Sequence, residues 1–113
     1  MSKIADNVYG LLKRSFPHYT ILKEHYVNFK GSKLFFDFYV KELNVLIEVQ
    51  GRQHEGFVKH FHEDASGFLA SKQRDNLKIE YCECKDLTLI TFTDGEKLSE
   101  KNLVKKIWSK MNG

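Results

Sequence analysis

Two acids stand inside strongly hydrophobic stretches of the chain, residues 34–40 (LFFDFYV) and 45–50 (VLIEVQ). Asp37 interrupts the first stretch, Glu48 interrupts the second, and Gln50 ends it. A carboxylate in so apolar a setting is costly unless it is paired, hydrogen-bonded or bound to a cation. Two carboxylates and a neighbouring backbone carbonyl form a hard oxygen site of the kind that Mg²⁺ or Mn²⁺ prefers. We therefore expect Asp37 and Glu48 to bind a divalent metal.

The two stretches predict the strands of a tight β-hairpin. Because side chains alternate between the faces of a strand, Glu48 shares a face with Gln50, and Asp37 shares a face with Phe35 and Tyr39. The polar groups of the two strands converge if the first strand bends or twists near Asp37. A metal held there can lower the pKa of a bound water and stabilise a phosphorane-like transition state. The alternative is a pair of edge-strand acids that face water, with Gln50 as a polar strand end.

Positively charged side chains follow the hairpin in the predicted loop and helix. They could hold phosphate groups beside the metal. The formal net charge of +3 is a mild excess that is compatible with a polyanionic partner. The candidate phosphate-binding residues are Arg52, Lys59, Lys72, Arg74 and Lys78, with His60 and His62 as weaker candidates.

Hydrophobic periodicity and turn residues predict the elements that position these side chains. The order is α-β-β-β-α-β-α, and the helical crossover places the last strand parallel to the third. We expect one α/β domain over residues 1–113, with a mixed four-stranded sheet flanked by helices. The predicted helices span 3–15, 65–81 and 100–111, and the predicted strands span 20–29, 34–40, 44–50 and 87–93.

The second predicted helix places Phe68, Lys72, Asp75 and Ile79 on one stripe. We expect this stripe to face the sheet and to bring Asp75 towards the hairpin. The alternative is that Asp75 pairs with Lys72 or Lys78 on a solvated helix face.

The pattern D-x10-E-x-Q on a β-hairpin, within this order of elements, resembles the PD-(D/E)XK nuclease superfamily. The resemblance is closer to one branch, the small restriction-endonuclease-like proteins of phages and bacteria that are akin to very-short-patch mismatch-repair endonucleases. The phrases DFYVKELNVLIEVQGRQH and KQRDNLKIEYC carry it, and it covers roughly residues 34–92.

The resemblance implies a restriction-endonuclease-like core and a Mg²⁺-dependent endonuclease that hydrolyses DNA to 5′-phosphate and 3′-hydroxyl ends. A monomer of this size would most naturally nick one strand. Asp37 and Glu48 would be the metal ligands, and Gln50 takes the place of the family's lysine. His54 matches the histidine after the E-x-x-G turn, with a role in acid/base chemistry or phosphate contact.

The resemblance also assigns a role to the second predicted helix. Asp75 matches the acid of the family's helix motif, with Lys72 and Arg74 near it. The chain departs from the family in two respects. It has no lysine at position 50, so that Lys72, Arg52, His54 or a second metal must meet the transition-state charge. The family often has an acid in the first helix. Its nearest counterpart here is Asp6, which lies on the side of the helix away from the stripe of Ile4, Val8 and Leu11.

These departures favour a second hypothesis, in which the chain is a catalytically inactive nucleic-acid-binding module that retains the nuclease fold. Both hypotheses make DNA the partner, bound by a monomer, by a homodimer or by a larger phage or host DNA-processing complex.

The two cysteines, Cys82 and Cys84, lie too close in sequence for a favourable disulfide and indicate reduced thiols. Cys82 is expected to be a small core residue; a zinc site with His60 or His62 is the weaker alternative. The N-terminus lacks the apolar segment of a signal peptide, and no stretch is apolar enough for a membrane span. We expect a soluble, cytoplasmic protein with no membrane partner.

Overall fold

The computed structural model describes residues 3–50, 65–93 and 95–112. Its elements follow the predicted order, α-β-β-β-α-β-α, and a single 3₁₀ turn joins the second and third strands. The second helix is one turn longer than predicted. The elements are α1 (Lys3–Ser15), β1 (Ile21–Phe29), β2 (Ser32–Val40), the 3₁₀ turn (Lys41–Leu43), β3 (Val45–Gln50), α2 (Ala65–Lys85), β4 (Thr88–Thr93) and α3 (Glu100–Asn112).

The strands form one mixed sheet in the order β1-β2-β3-β4. The first three are antiparallel neighbours, and β4 lies parallel to β3, with Thr91 beside Glu48. The predicted mixed sheet and parallel crossover partner are therefore confirmed. β1 and β2 are joined by Lys30 and Gly31, whose φ angles are 51° and 78°. Two left-handed residues in a two-residue loop match the twist of the strands that they connect.

Two hydrophobic cores lie on opposite faces of this sheet. α1 and α3 pack on one face and form the first core, whereas α2 packs on the other face and forms the second. β3 contributes to both by alternation, since Val45 and Ile47 are buried in the first core and Leu46 in the second. The molecule is thus an α/β sandwich in which both faces of the central strands are covered.

Helices α1 and α3 are amphipathic in the way that their sequences predict. In α1, Val8 and Leu12 are fully buried, and the helix ends two residues before Pro17. α3 begins after Ser99, whose Oγ accepts a hydrogen bond from the backbone N–H of Asn102 at 3.1 Å. Leu103 and Ile107 of α3 are fully buried, whereas Trp108 is 42% exposed.

Helix α2 differs from its prediction in the face that it turns to the sheet. Ile79 is half-exposed, and Lys72 and Asp75 are exposed, so these three residues of the predicted stripe do not pack on the strands. The apolar side chains of α2 are spread around the helix, and spacing alone selected the wrong set. The residues that contribute to the second core are Leu77, Tyr81 and Cys82.

Among the described residues, no helix combines the length and the apolar character needed to cross a bilayer.

Candidate functional site

Strand β2 changes the face that it presents to the two cores at Asp37. Leu34 and Phe36 are buried in the second core, against α2, whereas Phe38 and Val40 are buried in the first. Regular alternation would place all four side chains on one face. The strand therefore turns over at Asp37, which is the bend or twist that convergence of the acids requires.

Strand β1 turns over at the matching position. Its register with β2 places Glu24 opposite Asp37, and Glu24 has a left-handed φ of 55°. Ile21 packs against the first core and Val27 against the second, although the two should share a face. We call residues 25–36 the outer part of this two-stranded ribbon, and residues 21–23 with 38–40 its inner part.

The carboxylate of Asp37 takes the place of a ladder contact where β2 and β3 part. The register between these strands runs from Val40 beside Val45 to Phe38 beside Ile47. Asp37 follows Phe38 at this end of the pairing, and its Oδ2 accepts a hydrogen bond from the backbone N–H of Val49 at 2.8 Å. This bond satisfies a main-chain donor in a half-buried position and fixes the side chain of Asp37 against β3.

Glu48 lies on β3 beside this point and forms an ion pair with Lys78 of α2. Nζ of Lys78 donates to Oε1 of Glu48, and only 15% and 16% of the two side chains are exposed. The lysine ammonium also lies 5.6 Å from the centre of the Phe36 ring. Lys78 of α2 is thus the cationic partner of Glu48, and its ammonium lies over an aromatic ring of β2.

Burial raises the pKa of the Glu48 carboxyl above its ordinary value, although the ion pair with Lys78 acts to lower it. The nearby charges of Asp75 and Asp37 raise the same pKa further. Carboxylates from β2, β3 and α2 therefore act on one another at one place. Mutual repulsion of this kind is typical of sites that bind a cation or perform acid/base chemistry.

The donor atoms fit a magnesium ion that keeps several of its waters. Within the described part of the chain, Oδ1 of Asp37 and Oε2 of Glu48 have no hydrogen-bond partner. Mg²⁺ is commonly held by one or two carboxylates, with water and phosphate oxygens completing the octahedron. In residues 3–50, 65–93 and 95–112, no group of three or more His, Cys, Asp or Glu is arranged to hold a metal. Of the described residues, Asp37 and Glu48 are the ones that would hold a metal here.

The remaining predicted residues divide into two groups. Gln50 is exposed at the end of β3, and Lys72, Arg74 and Asp75 are exposed on α2, where Asp75 still acts on Glu48 through its charge. Asp6 is exposed on α1, as predicted. The residues that lie outside the described part of the chain are Arg52, His54, Lys59, His60 and His62.

The cysteines behave as a core residue and a surface residue. Cys82 is buried in the second core and Cys84 is exposed, and both are free thiols. Burial raises the pKa of the Cys82 thiol to about 11, so it is protonated at neutral pH. The expectation of a small core residue at position 82 is confirmed.

Sequence reasoning placed Lys78 among the phosphate-binding residues and missed its pairing with Glu48. The pairing follows from the position of Lys78 next to Leu77, on the side of α2 that meets the sheet. A lysine can lie there because its aliphatic stem packs over apolar surface while its ammonium reaches a partner. The available signal was the hydrophobic pair Leu77 and Tyr81, at helical spacing around it.

No family model matches the sequence, and no solved structure matches it. A segment of 54 residues, 48% of this chain, is 37% identical to a protein of Invertebrate iridescent virus 6 that carries the name "Uncharacterized protein 307L". The segment spans 27% of that protein's length. The name describes no activity, so the function must be inferred from the site itself.

Proposed function

We propose that the protein is a metal-dependent DNA endonuclease that hydrolyses a phosphodiester bond beside Asp37 and Glu48. The observation that carries the proposal is the half-buried pair of Glu48 and Lys78, placed where Asp37 leaves the β2–β3 ladder. Acids from two strands and a cation from a helix meet there. The resemblance of D-x10-E-x-Q to the PD-(D/E)XK pattern supports the same reaction class.

Asp37 and Glu48 would hold Mg²⁺ or Mn²⁺ through the oxygens that face away from Val49 and Lys78. When bound, the metal supplies an acidified water and neutralises charge on the phosphate. Asp37 is oriented for this by its bond from the N–H of Val49. Asp75 adds negative potential from α2, which favours a cation at Glu48.

Lys78 supplies the positive charge that the resemblance places at position 50. Its ammonium reaches Glu48 from α2, whereas Gln50 is exposed and neutral at the end of β3. A lysine ammonium is mobile enough to exchange a carboxylate partner for a phosphate oxygen. Lys78 would thereby stabilise charge that develops on the phosphate during hydrolysis.

The direct test is conversion of supercoiled plasmid to the nicked form in Mg²⁺ or Mn²⁺. We expect nicking by the parent protein, and its loss in Asp37→Asn and Glu48→Gln by at least about 100-fold. Glu83→Gln is the matched control, because Glu83 is an exposed carboxylate on α2. Plasmid that stays supercoiled across both metals and a range of pH would contradict the proposal.

A second candidate is a nucleic-acid-binding module that retains this fold without catalysis. It is favoured by the exposed, uncharged Gln50 and by the lack of a three-ligand group among the residues that the structure describes. Titration calorimetry with Mg²⁺ separates the two candidates. The nuclease should show a binding site that Glu48→Ala abolishes, and an inactive module should show none.

A further inference from the structure

The outer part of the β1–β2 ribbon exposes an aromatic pair. Tyr26 and Phe35 lie directly opposite each other on the two strands, and their ring centroids are 5.0 Å apart with an interplanar angle of 54°. Tyr26 is 57% exposed, although aromatic side chains supply much of the apolar surface that folding usually buries. The pair offers a π-surface to solvent rather than to a core.

The change of face at Asp37 and Glu24 creates this exposure. Beyond it, Leu34, Phe36 and Val27 face the second core, against α2. Tyr26 and Phe35 must then occupy the opposite face by alternation. On that face α1 covers the inner part, where Tyr9 stacks on Phe38 at 5.8 Å.

The charges around the pair are favourable for a polyanion. Nζ of Lys33 lies 5.0 Å from the centre of the Tyr26 ring. Residues 25–36, HYVNFKGSKLFF, contain no acid, because the single acids of β1 and β2 lie at the change of face. An exposed aromatic pair beside a lysine, in a segment without carboxylates, suits a nucleobase with its phosphate.

We propose that Tyr26 and Phe35, with Lys33, form a stacking platform for unpaired nucleobases. As a surface that holds substrate, it rests on the proposed function, because Phe35 lies about 7 Å along β2 from Asp37. A base stacked there would place the strand beside the acids. The preferred ligand of this platform would therefore be single-stranded or locally unpaired nucleic acid.

The test is fluorescence anisotropy with labelled oligo(dT), oligo(rU) and a duplex of equal length, in EDTA so that no hydrolysis occurs. We expect the parent protein to prefer the single strands. Tyr26→Leu keeps an apolar side chain but removes the π-face, and should weaken oligo(dT) binding about 5- to 100-fold, whereas Tyr26→Phe should stay within about twofold of the parent. Lys33→Gln should reduce the slope of log Kd against log salt by about 0.7.

Leu22→Ala is the matched control, since Leu22 is a 41% exposed residue of β1 in the inner part. Tighter binding of oligo(rU) than of oligo(dT), lost in Tyr26→Leu, supports the platform and identifies RNA as the ligand. Equal affinities of Tyr26→Leu and the parent overturn it, as does a dimer in sedimentation that Tyr26→Leu converts to monomer. If Tyr26→Leu does not fold, Phe35→Leu carries the same test.

Failure of the platform is distinguishable from failure of the nuclease proposal. Glu83→Gln should bind oligo(dT) as the parent does, because it changes neither the aromatic pair nor the acids beside it. Binding that depends on Tyr26, without any plasmid nicking, contradicts the nuclease alone. Nicking by a protein whose Tyr26→Leu variant binds normally contradicts the platform alone.

Discussion

Oδ2 of Asp37 accepts a hydrogen bond from the backbone N–H of Val49, 2.8 Å away, at the place where β2 separates from β3. One side chain therefore has two roles that substitution can separate. It completes the hydrogen bonding of β3, and in the proposed site it holds a metal. An amide oxygen can perform the first role without the charge that the second requires.

We predict that Asp37→Asn folds with nearly parental stability and loses metal binding and nicking, whereas Asp37→Ala loses stability as well. The alanine variant leaves the half-buried N–H of Val49 without its acceptor, at a cost of about 1–3 kcal/mol in the free energy of unfolding. Urea denaturation monitored by circular dichroism measures the difference. Equal stabilities of the two variants would show that the bond to Val49 contributes little.

Replacement of Lys78 by methionine should destabilise the protein more at pH 8 than at pH 5. Without the ammonium, the pKa of the Glu48 carboxyl rises further above its unfolded value. A carboxyl with a raised folded-state pKa costs stability above that pKa, and the cost disappears as the pH falls through it towards the unfolded value. We expect a penalty of about 2 kcal/mol at pH 8. Lys72→Met, an exposed position of the same helix, should show no such pH dependence.

Mg²⁺ should raise the Tm of the parent protein, and the rise should shrink as the pH is lowered from 8 to 5. The metal would bind the ionised carboxylate, and burial together with the charges of Asp75 and Asp37 raises the pKa of Glu48 above its ordinary value, so that protons compete with the metal as the pH falls. At 100 times Kd, the added stability would be about 2.7 kcal/mol. Differential scanning fluorimetry measures the shift, which Glu48→Gln should abolish and Glu83→Gln should keep. A rise that is independent of pH would place the metal elsewhere.

Lys106 should protect β4 at the edge of the sheet that the described strands form. Its Nζ donates to the carbonyl oxygen of Thr91 and lies 2.7 Å from Oε1 of Glu96, whose Oε2 accepts the N–H of Thr93 at 2.6 Å. Lys106→Met should open this edge, lower the free energy of unfolding by about 1 kcal/mol and promote self-association. The measurement is light scattering by the variant as its protein concentration is raised. Lys105→Met, at an exposed position of the same helix, is the control. Equal scattering by the two variants would contradict it.

Periodicity and turn residues predicted the elements because those signals are local. The helix over Lys3–Ser15 and the cap at Ser99 follow from side chains within a few positions. The parallel pairing of β4 with β3 followed from a general rule for helical crossovers. Local signals were sufficient for the order of elements and for adjacent strands that carry the two acids.

The site required information that is not local. Strict alternation keeps the faces of β2 constant, and only packing on two cores reveals that the faces exchange at Asp37. Lys78 could not be placed because α2 lacks a single apolar stripe, so the orientation of the helix depends on what Tyr81 and Cys82 contact. The exposure of Tyr26 follows from the same exchange.

The crossing of the β1–β2 ribbon from one core to the other bears on how the molecule unfolds. Phe36 and Phe38 are anchored in different cores, yet they are two residues apart on one strand. If β2 separates from one core, its packing in the other core is disturbed as well. The two cores should therefore unfold in one cooperative transition. A substitution that weakens the packing of α2 should lower the stability of α1 by a similar amount.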